Sequence, residues 1–343
     1  MSASLRFPAE WEPQSAVLLA WPHEGTDWAA RLAEVEASYV ALVGAIARFQ
    51  TVLVCVADAA LRRRAGAALA AAGVDPSRVR FFEVEYDDTW LRDSGPVTLR
   101  DRDGFCLLDF RFTAWGGKYE AGRDDRLVAR LRDSGLLVPA AYRRIEFALE
   151  GGAIETDGAG TLLSTWRCLH ERHPALSRPQ VTDALAGHLA QNRVLWLEHG
   201  YLEGDDTDAH IDTLARFAPD DGIVFQACGD PGDSHYHELT AMAGEIAALR
   251  TTDGRPYRLF PLPWPRPIID GNRRLAASYA NFLVVNGAVL MPAYDDPADA
   301  EAAAVLASAF PGREVVRVPC RPLIWQNGSL HCLTMQLPEG LLA

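Results

Sequence analysis

The sequence predicts an α/β protein built from a repeated strand–helix–strand module, and three observations carry that prediction. Short β-branched apolar runs alternate with segments whose apolar residues recur every three or four positions. The alternation recurs roughly five times over the 343 residues, about 69 residues per module. No low-complexity stretch or flexible linker interrupts it, which predicts one domain over residues 1–343. A doubly wound sheet is the competing architecture. No GxGxxG follows a strand and there is no Walker loop, so nucleotide binding has little support.

In chain order, Ala16–Trp21 is an apolar run stopping at Pro22, as a buried strand does. Trp28, Leu32, Val35, Tyr39, Leu42, Ile46 and Phe49 follow at the spacing of an amphipathic helix. Thr51–Ala57 is a β-branched strand, and Asp58 can cap the Ala/Arg-rich helix that ends at Gly73. Strand Val79–Tyr86 leads into Asp87–Pro96. Strands near 96–100 and 105–112, the turn-like Trp115-Gly116-Gly117 and a helix near 124–134 come next. A strand then reaches Leu149, the chain turns at Glu150-Gly151-Gly152, and Thr161–Trp166 is another strand. A helix near 179–190 and strand Val194–Leu197 precede an acidic stretch. Beyond it lie strand Gly222–Ala227, a helix at 235–250 and strand Tyr257–Leu262. Asn281–Val285 and Ala288–Pro292 flank Asn286-Gly287, a favoured hairpin turn. Asp296-Pro297 has the cap-then-proline order of a helix start, and strands at 314–318 and 330–337 complete the series.

Lys and Arg number 33 against 46 Asp and Glu, a net charge of −13. That balance disfavours a nucleic-acid partner, which wants a basic face, and suits a small cationic substrate. The six cysteines stand singly with no CxxC pair, the usage of a reducing compartment. The first residues lack a basic-then-apolar signal, and no apolar run approaches the ~20 residues of a membrane helix. The expected location is the cytoplasm.

The chemistry gathers around Glu203–Phe217, where Glu203, Asp205, Asp206 and Asp208 precede His210 and Asp212. Such a concentration of like charge calls for a cation among them. If the segment is extended, His210 and Asp212 point to one face. Trp90/Asp93, Glu150 and Cys332 also stand at strand ends, where a scaffold can aim them inward. A guanidinium is planar and is matched bidentately by carboxylates. Asp93 and Asp212 on either side would fix its plane and leave its carbon open to a thiolate from Cys332. A free thiol is only a few per cent ionised at neutral pH. A cation arriving ~4 Å away is worth about 4 kcal/mol at an effective dielectric near 20, enough to reverse that. His210 could protonate departing ammonia and then deprotonate water, Glu150 could hold the imidazole, and Trp90 could stack on the cation. Blander readings stand beside each: a core cysteine or tryptophan, a turn carboxylate, a solvated acidic loop. A calcium loop starting at Asp206 fails, with Ile211 where Gly belongs and Phe217 where Glu belongs. His235 and His237 could ligate zinc, but no HExxH surrounds them.

Taken together the residues resemble the agmatine deiminase family, which includes the bacterial-type peptidylarginine deiminases of the guanidino-modifying pentein superfamily. The likeness runs from Phe7-Pro8-Ala9-Glu10-Trp11-Glu12-Pro13-Gln14 and Trp21-Pro22 through Trp90–Pro96, Ala114-Trp115-Gly116-Gly117, Leu149–Gly152 and His210-Ile211-Asp212. It ends with Tyr279-Ala280-Asn281-Phe282 and Leu330-His331-Cys332-Leu333-Thr334. The resemblance implies a five-bladed α/β propeller, the pentein fold, and a covalent thiouronium mechanism without metal or cofactor. It matches Cys332 to the nucleophile, His210 to the general acid/base and Glu150 to the acid beside it. Asp93 and Asp212 match the guanidinium grip, and Trp90, Trp115 and Asp206 the substrate pocket. The implied reaction converts agmatine to N-carbamoylputrescine and ammonia, a step of putrescine biosynthesis, in a homodimeric enzyme. Alternatives are deimination of free or peptidyl arginine, a non-catalytic guanidine binder, and a metal hydrolase. The chain departs from the pattern at Gln326-Asn327-Gly328-Ser329, where the family has Gly-Gly-Gly-Asn. It departs also at Thr113, where longer agmatine deiminases have Asn, and at Asp206, where they have Glu.

Overall fold

The alternating pattern folds into modules in which one strand pairs antiparallel with the next, and that strand pairs parallel with a third. The computed structural model describes residues 5–343. β1 (Gln14–Ala20), β2 (Thr51–Val56) and β3 (Val79–Glu83) run parallel, joined by helices Leu32–Ala47 and Ala59–Ala71. Parallel neighbours need such crossovers, and strands covered on both faces become nearly continuous apolar runs. β4 (Val97–Arg100) is antiparallel to β5 (Phe105–Arg111), which is parallel to β6 (Ala141–Ala148). β7 (Glu155–Thr156), β8 (Thr161–Thr165) and β9 (Arg193–Leu197) repeat that order. So do β10 (Ala215–Ala218), β11 (Gly222–Gln226) and β12 (Arg258–Leu262). A small hairpin, β13 (Ile269–Asp270) and β14 (Arg273–Arg274), precedes β15 (Leu283–Val285), β16 (Ala288–Ala293) and β17 (Glu314–Pro319), which repeat it again. Finally β18 (Thr334–Pro338) pairs antiparallel with β1, giving the first sheet the same order. Among the described residues five separate sheets thus share one topology, and no single sheet closes on itself.

Local chemistry explains most boundaries. Asp58 caps its helix as expected, its carboxylate accepting from the Ala60 and Leu61 amides at 2.8 Å. The Asn286-Gly287 turn forms, with Gly287 at φ 78°. Three expectations shift. Asp296 does not cap an α-helix; it accepts from the Ala298 amide, a local turn, and the regular helix is Asp299–Ala309. The strand expected to run to Tyr86 stops at Glu83. The strand expected from residue 330 starts at Thr334, because Leu330–Leu333 turn and the Thr334 amide bonds back to the His331 carbonyl at 3.0 Å. Helix Trp166–Arg172, unpredicted, follows β8 directly. All six cysteines are free and buried. Among the described residues no helix is long and apolar enough to cross a membrane.

The largest apolar cluster joins the first and last modules, Leu19, Trp21 and Tyr39 packing in one core with Phe282, Leu290 and Leu333. Leu18, on the other face of β1, sits between Leu53 and Met335 and is 0% exposed. Leu18→Ala should therefore lower unfolding free energy by about 2–5 kcal/mol, read from the urea midpoint at unchanged slope.

Candidate active site

Asp93 lies in the short helical turn Leu91–Ser94 between β3 and β4. Its Oδ2 accepts from Trp115 Nε1 at 2.9 Å and its Oδ1 from the Gly152 amide at 2.9 Å. Trp115 reaches it from an unusual place. Ala114, Trp115, Gly116 and Gly117 all have positive φ, at 48°, 57°, 89° and 86°. The Gly117 and Lys118 amides bond to the Thr113 and Ala114 carbonyls at 2.7 and 3.0 Å, a single left-handed helical turn. For Ala114 and Trp115 that conformation costs roughly 1–2 kcal/mol each, and here it aims an indole N–H at a buried carboxylate.

Glu150 follows β6. Arg172, from the helix after β8, donates Nε to Glu150 Oε1 at 2.8 Å and spends its other nitrogens on Asp208 Oδ2 (2.7 Å) and the Thr207 carbonyl (3.0 Å). Lys118 also pairs with Asp208, at 2.9 Å. These are the cations that the acidic run required. Asp205 makes the turn itself, accepting from the Thr207 and Ala209 amides.

His210 and Asp212 are brought together, but not by an extended strand. His210 precedes the 3-10 turn Ile211–Thr213, and the two side chains converge around Gly152. His210 Nδ1 is 3.7 Å from Asp93 Oδ1, and Nε2 is 3.5 Å from Glu150 Oε2. A Cβ on Gly152 would lie 2.6 Å from His210 Nδ1, 2.8 Å from Asp93 Oδ1 and 3.3 Å from the Asp212 carboxyl carbon. Cys332 sits on the turn before β18, its Sγ 3.5 Å from Asp212 Oδ2 and 3.2 Å from Asn281 Nδ2. Asn281 Oδ1 accepts from the His331 amide at 2.9 Å, so one amide side chain fixes the cysteine turn from both ends.

Trp90, Asp93, Trp115, Asp206 and Cys332 line a cavity of about 140 Å³. Glu150, His210 and Asp212 lie just behind its wall, each no more than 1% exposed. Four of their atoms have no hydrogen-bond partner in the protein: Glu150 Oε2, both His210 nitrogens and Asp212 Oδ1. Trp90 is held as a wall, with Trp28 at 5.6 Å and the Gly328 backbone so near that a Cβ there would meet the ring at 2.2 Å. Asp27 and Asp88 add two further carboxylates to the lining, and Arg273 a guanidinium. Sequence reasoning missed Arg172, Asn281, Gly152, Arg273, Asp27 and Asp88 as site groups. Arg92 does face away, bonded to Gln336 at 2.7 Å and Glu10 at 3.4 Å. Arg273, on the short β14, donates to the Asn327 side chain at 3.0 Å and to the Trp325 carbonyl. It thereby ties down the departing segment 326–329.

The charges follow from this packing. Burial, then Asp212 and Asp93, push the Cys332 thiol well above its usual pKa. Burial opposes a charge on His210, but Asp93, Cys168 and Glu150 outweigh it and push the imidazole well above its usual pKa. Burial alone would raise Glu150 and Asp212; His210 and Arg172 bring the first down, and His331, His210 and Arg216 the second. For Asp93 burial, helped by Asp212 and Glu150, prevails over His210, and its pKa rises to about 6.

The structure does not assemble the histidine pair read from the sequence as zinc ligands. His235 donates Nδ1 to Asp233 at 2.8 Å and accepts the Glu203 amide on Nε2 at 2.7 Å, while His237 is exposed, so they form no ligand pair. Asp205 and Asp208 of the acidic run are consumed by turn amides and by Arg172 and Lys118. Among the described residues one triplet of ligand-type groups comes together, Glu150, Cys168 and His210 within 4.8 Å, and two of the three are the acid and imidazole above. Gly152→Ala is the sharpest probe of the geometry. It should weaken binding of a small guanidinium roughly a hundredfold by calorimetry while leaving the melting transition cooperative.

The sequence profile of the Porphyromonas-type peptidyl-arginine deiminases matches residues 6–338. The agmatine deiminase of Stutzerimonas stutzeri is 36% identical, the match covering 96% of this chain and 95% of that protein. That of Pseudomonas aeruginosa is 35% identical over 97% of this chain and 95% of its own. A Porphyromonas gingivalis structure, provisionally described as an arginine deiminase, superposes with a TM-score of 0.91 at 46% identity, covering 99% of this chain and 100% of that one. A C. jejuni agmatine deiminase with substrate bound gives 0.91 at 33%, covering 98% and 97%. With a likeness of this length in sequence and in α/β fold, the chain belongs to the Porphyromonas-type peptidyl-arginine deiminase family.

Proposed function

We propose that this chain is a hydrolase that deiminates agmatine to N-carbamoylputrescine and ammonia. What carries the reading is the set of unpaired buried atoms on Glu150, His210 and Asp212 beside the Cys332 sulfur, next to an acid-lined cavity. The agmatine deiminases that match over nearly the whole chain support it. The five like sheets are read as blades of a five-bladed α/β propeller, with the site where the turns of different blades meet.

The steps follow from the charges. The guanidinium takes the place between Asp93 and Asp212, and its charge lowers the thiol pKa that those acids had raised, so that the thiol gives its proton to solvent. Thiolate attack on the guanidinium carbon forms the S–C bond. His210, already protonated, gives its proton to the leaving nitrogen as the C–N bond breaks, and ammonia departs. The neutral imidazole then takes a proton from water as that water attacks the thiouronium carbon. Breaking the C–S bond returns the electron pair to sulfur as thiolate, and the ureido product forms as the hydroxyl proton passes to solvent. Glu150, anchored by Arg172, steadies the imidazolium.

At the far end Asp27 and Asp206 suit the ammonium of agmatine, and Asp88, which burial lifts to about 7, would be drawn back to its charged form by that cation. One observation favours a second substrate: Arg273 also lines the cavity and could meet the carboxylate of free arginine. Side-by-side ammonia release from agmatine, arginine and an arginyl peptide decides between them. We expect agmatine to prevail and Arg273→Ala to leave its turnover within a few-fold; a preference for arginine that Arg273→Ala abolishes would reverse the assignment. Cys332→Ala and His210→Ala should be folded yet release no ammonia. Binding without turnover by the unaltered protein would mark a guanidine binder, and loss of activity to chelators a metal hydrolase.

The acid limb of the pH profile tests the grip. As pH falls through about 6, Asp93 takes up a proton and one gripping charge is lost, so kcat/KM should decline there. A bound cation stabilises the carboxylate, so the matching limb in kcat should lie at lower pH.

A further inference from the structure

The motif Phe7–Gln14 brings a carboxylate into the interior that the chemistry above leaves unused. Glu10 is 5% exposed and does not line the substrate cavity. Its Oε1 accepts from the Val284 amide at 2.7 Å. Its Oε2 faces His331 Nε2 at 2.7 Å, Arg216 at 3.0 Å and Arg92 at 3.4 Å. The other nitrogen of His331, Nδ1, is 2.8 Å from Asp212 Oδ2. Arg216 in turn holds Glu155 at 2.6 Å and the Phe282 carbonyl at 2.7 Å. Glu10, Glu155 and Asp212 thus meet Arg92, Arg216 and the His331 ring in one buried cluster.

We propose that Glu10 is a positioning residue for the deimination, acting through His331 on Asp212. The inference rests on the deiminase reading. Both ring nitrogens of His331 face carboxylate oxygens at hydrogen-bond distance, so the row Glu10–His331–Asp212 holds two protons. With a single proton in the row, only one of the two acids could be bonded. Burial, Arg216 and Arg92 all work against a charge on the ring, and Glu10 and Asp212 work for it, so Glu10 at the far edge is the group on which the second proton of the row depends. With it, Asp212 Oδ2 is neutralised where it lies 3.5 Å from the cysteine sulfur, and Oδ1 is left free for the substrate. Without it, Asp212 presents an unpaired charge to the sulfur and the thiolate becomes harder to form.

The test is a cycle of Glu10→Gln, His331→Asn and the double variant, read by kcat and KM for agmatine and by the rate of Cys332 alkylation with iodoacetamide, located by mass spectrometry. Glu10→Gln should lower kcat at least tenfold with KM changed less than threefold, and slow alkylation by a similar factor. The double variant should be no worse than His331→Asn within twofold, because both changes cut the same row. Wild-type kcat and alkylation in Glu10→Gln, or independent multiplying effects in the double variant, would overturn the proposal. If Glu10→Gln does not fold, His331→Asn decides alone, since it leaves Glu10 and its arginine partners in place: unchanged alkylation there is equally fatal. Should the unaltered protein not turn over agmatine, the substrate reading fails while the alkylation cycle still judges the row.

Discussion

Keeping carboxylates ionised in a dry interior is the constraint on which the rest of this molecule depends. A buried acid loses its charge unless cations or N–H groups compensate it, and each acid near the cavity is compensated differently. Glu150 has Arg172, Asp212 has His331, and Glu10 and Glu155 share Arg216. Asp93 has only an indole and one backbone amide besides the nearby imidazole, and its pKa climbs to about 6; burial lifts Asp88 and, despite Arg216, Glu155 further, to about 7. The interior is left with groups that a planar cation would satisfy and that the protein itself does not.

Backbone geometry makes this concentration sterically feasible. Gly152 is the point at which Asp93, His210 and Asp212 approach one another, and no side chain fits there. Gly328 does the same against Trp90. The left-handed turn at Thr113–Gly117 contributes the opposite device, a locally unfavourable conformation held so that Trp115 points at Asp93. Close approach and local strain of this kind belong to binding sites more than to cores.

Much of this was legible in the sequence because periodicity and strand-end motifs are local signals. Most of the strand and helix order, the Asn286-Gly287 hairpin and the Asp58 cap depend on neighbours in the chain and agree with the structure; helix Trp166–Arg172 and the short strands β7, β10, β13 and β14 escaped that reading. Cys332, His210, Glu150, Asp93 and Asp212 were named because their types in that order suit one chemistry. Their local conformations were not legible. His210 and Asp212 flank a 3-10 turn, and Cys332 lies on a turn, because contacts to Gly152 and Asn281 from distant modules decide the matter. Arg172 carried no signal at all, being one arginine among many on a helix that overlaps a predicted strand. Asn281 stood inside a recognised motif, but its tie to Cys332 spans 51 positions and no pattern along the chain records it.

The pairing of β18 with β1 has a consequence for the order in which the protein is made. Glu10 leaves the ribosome well before its hydrogen-bond partner His331, which follows 321 positions later. At typical rates of about 5–20 residues per second, a nascent chain waits tens of seconds for that partner. Until then Glu10, Arg92 and Arg216 lack the imidazole, and the first sheet lacks its antiparallel edge. The Cys332 sulfur therefore arrives in the same short segment whose strand pairs with β1, long after the glutamate at the far end of its buried row.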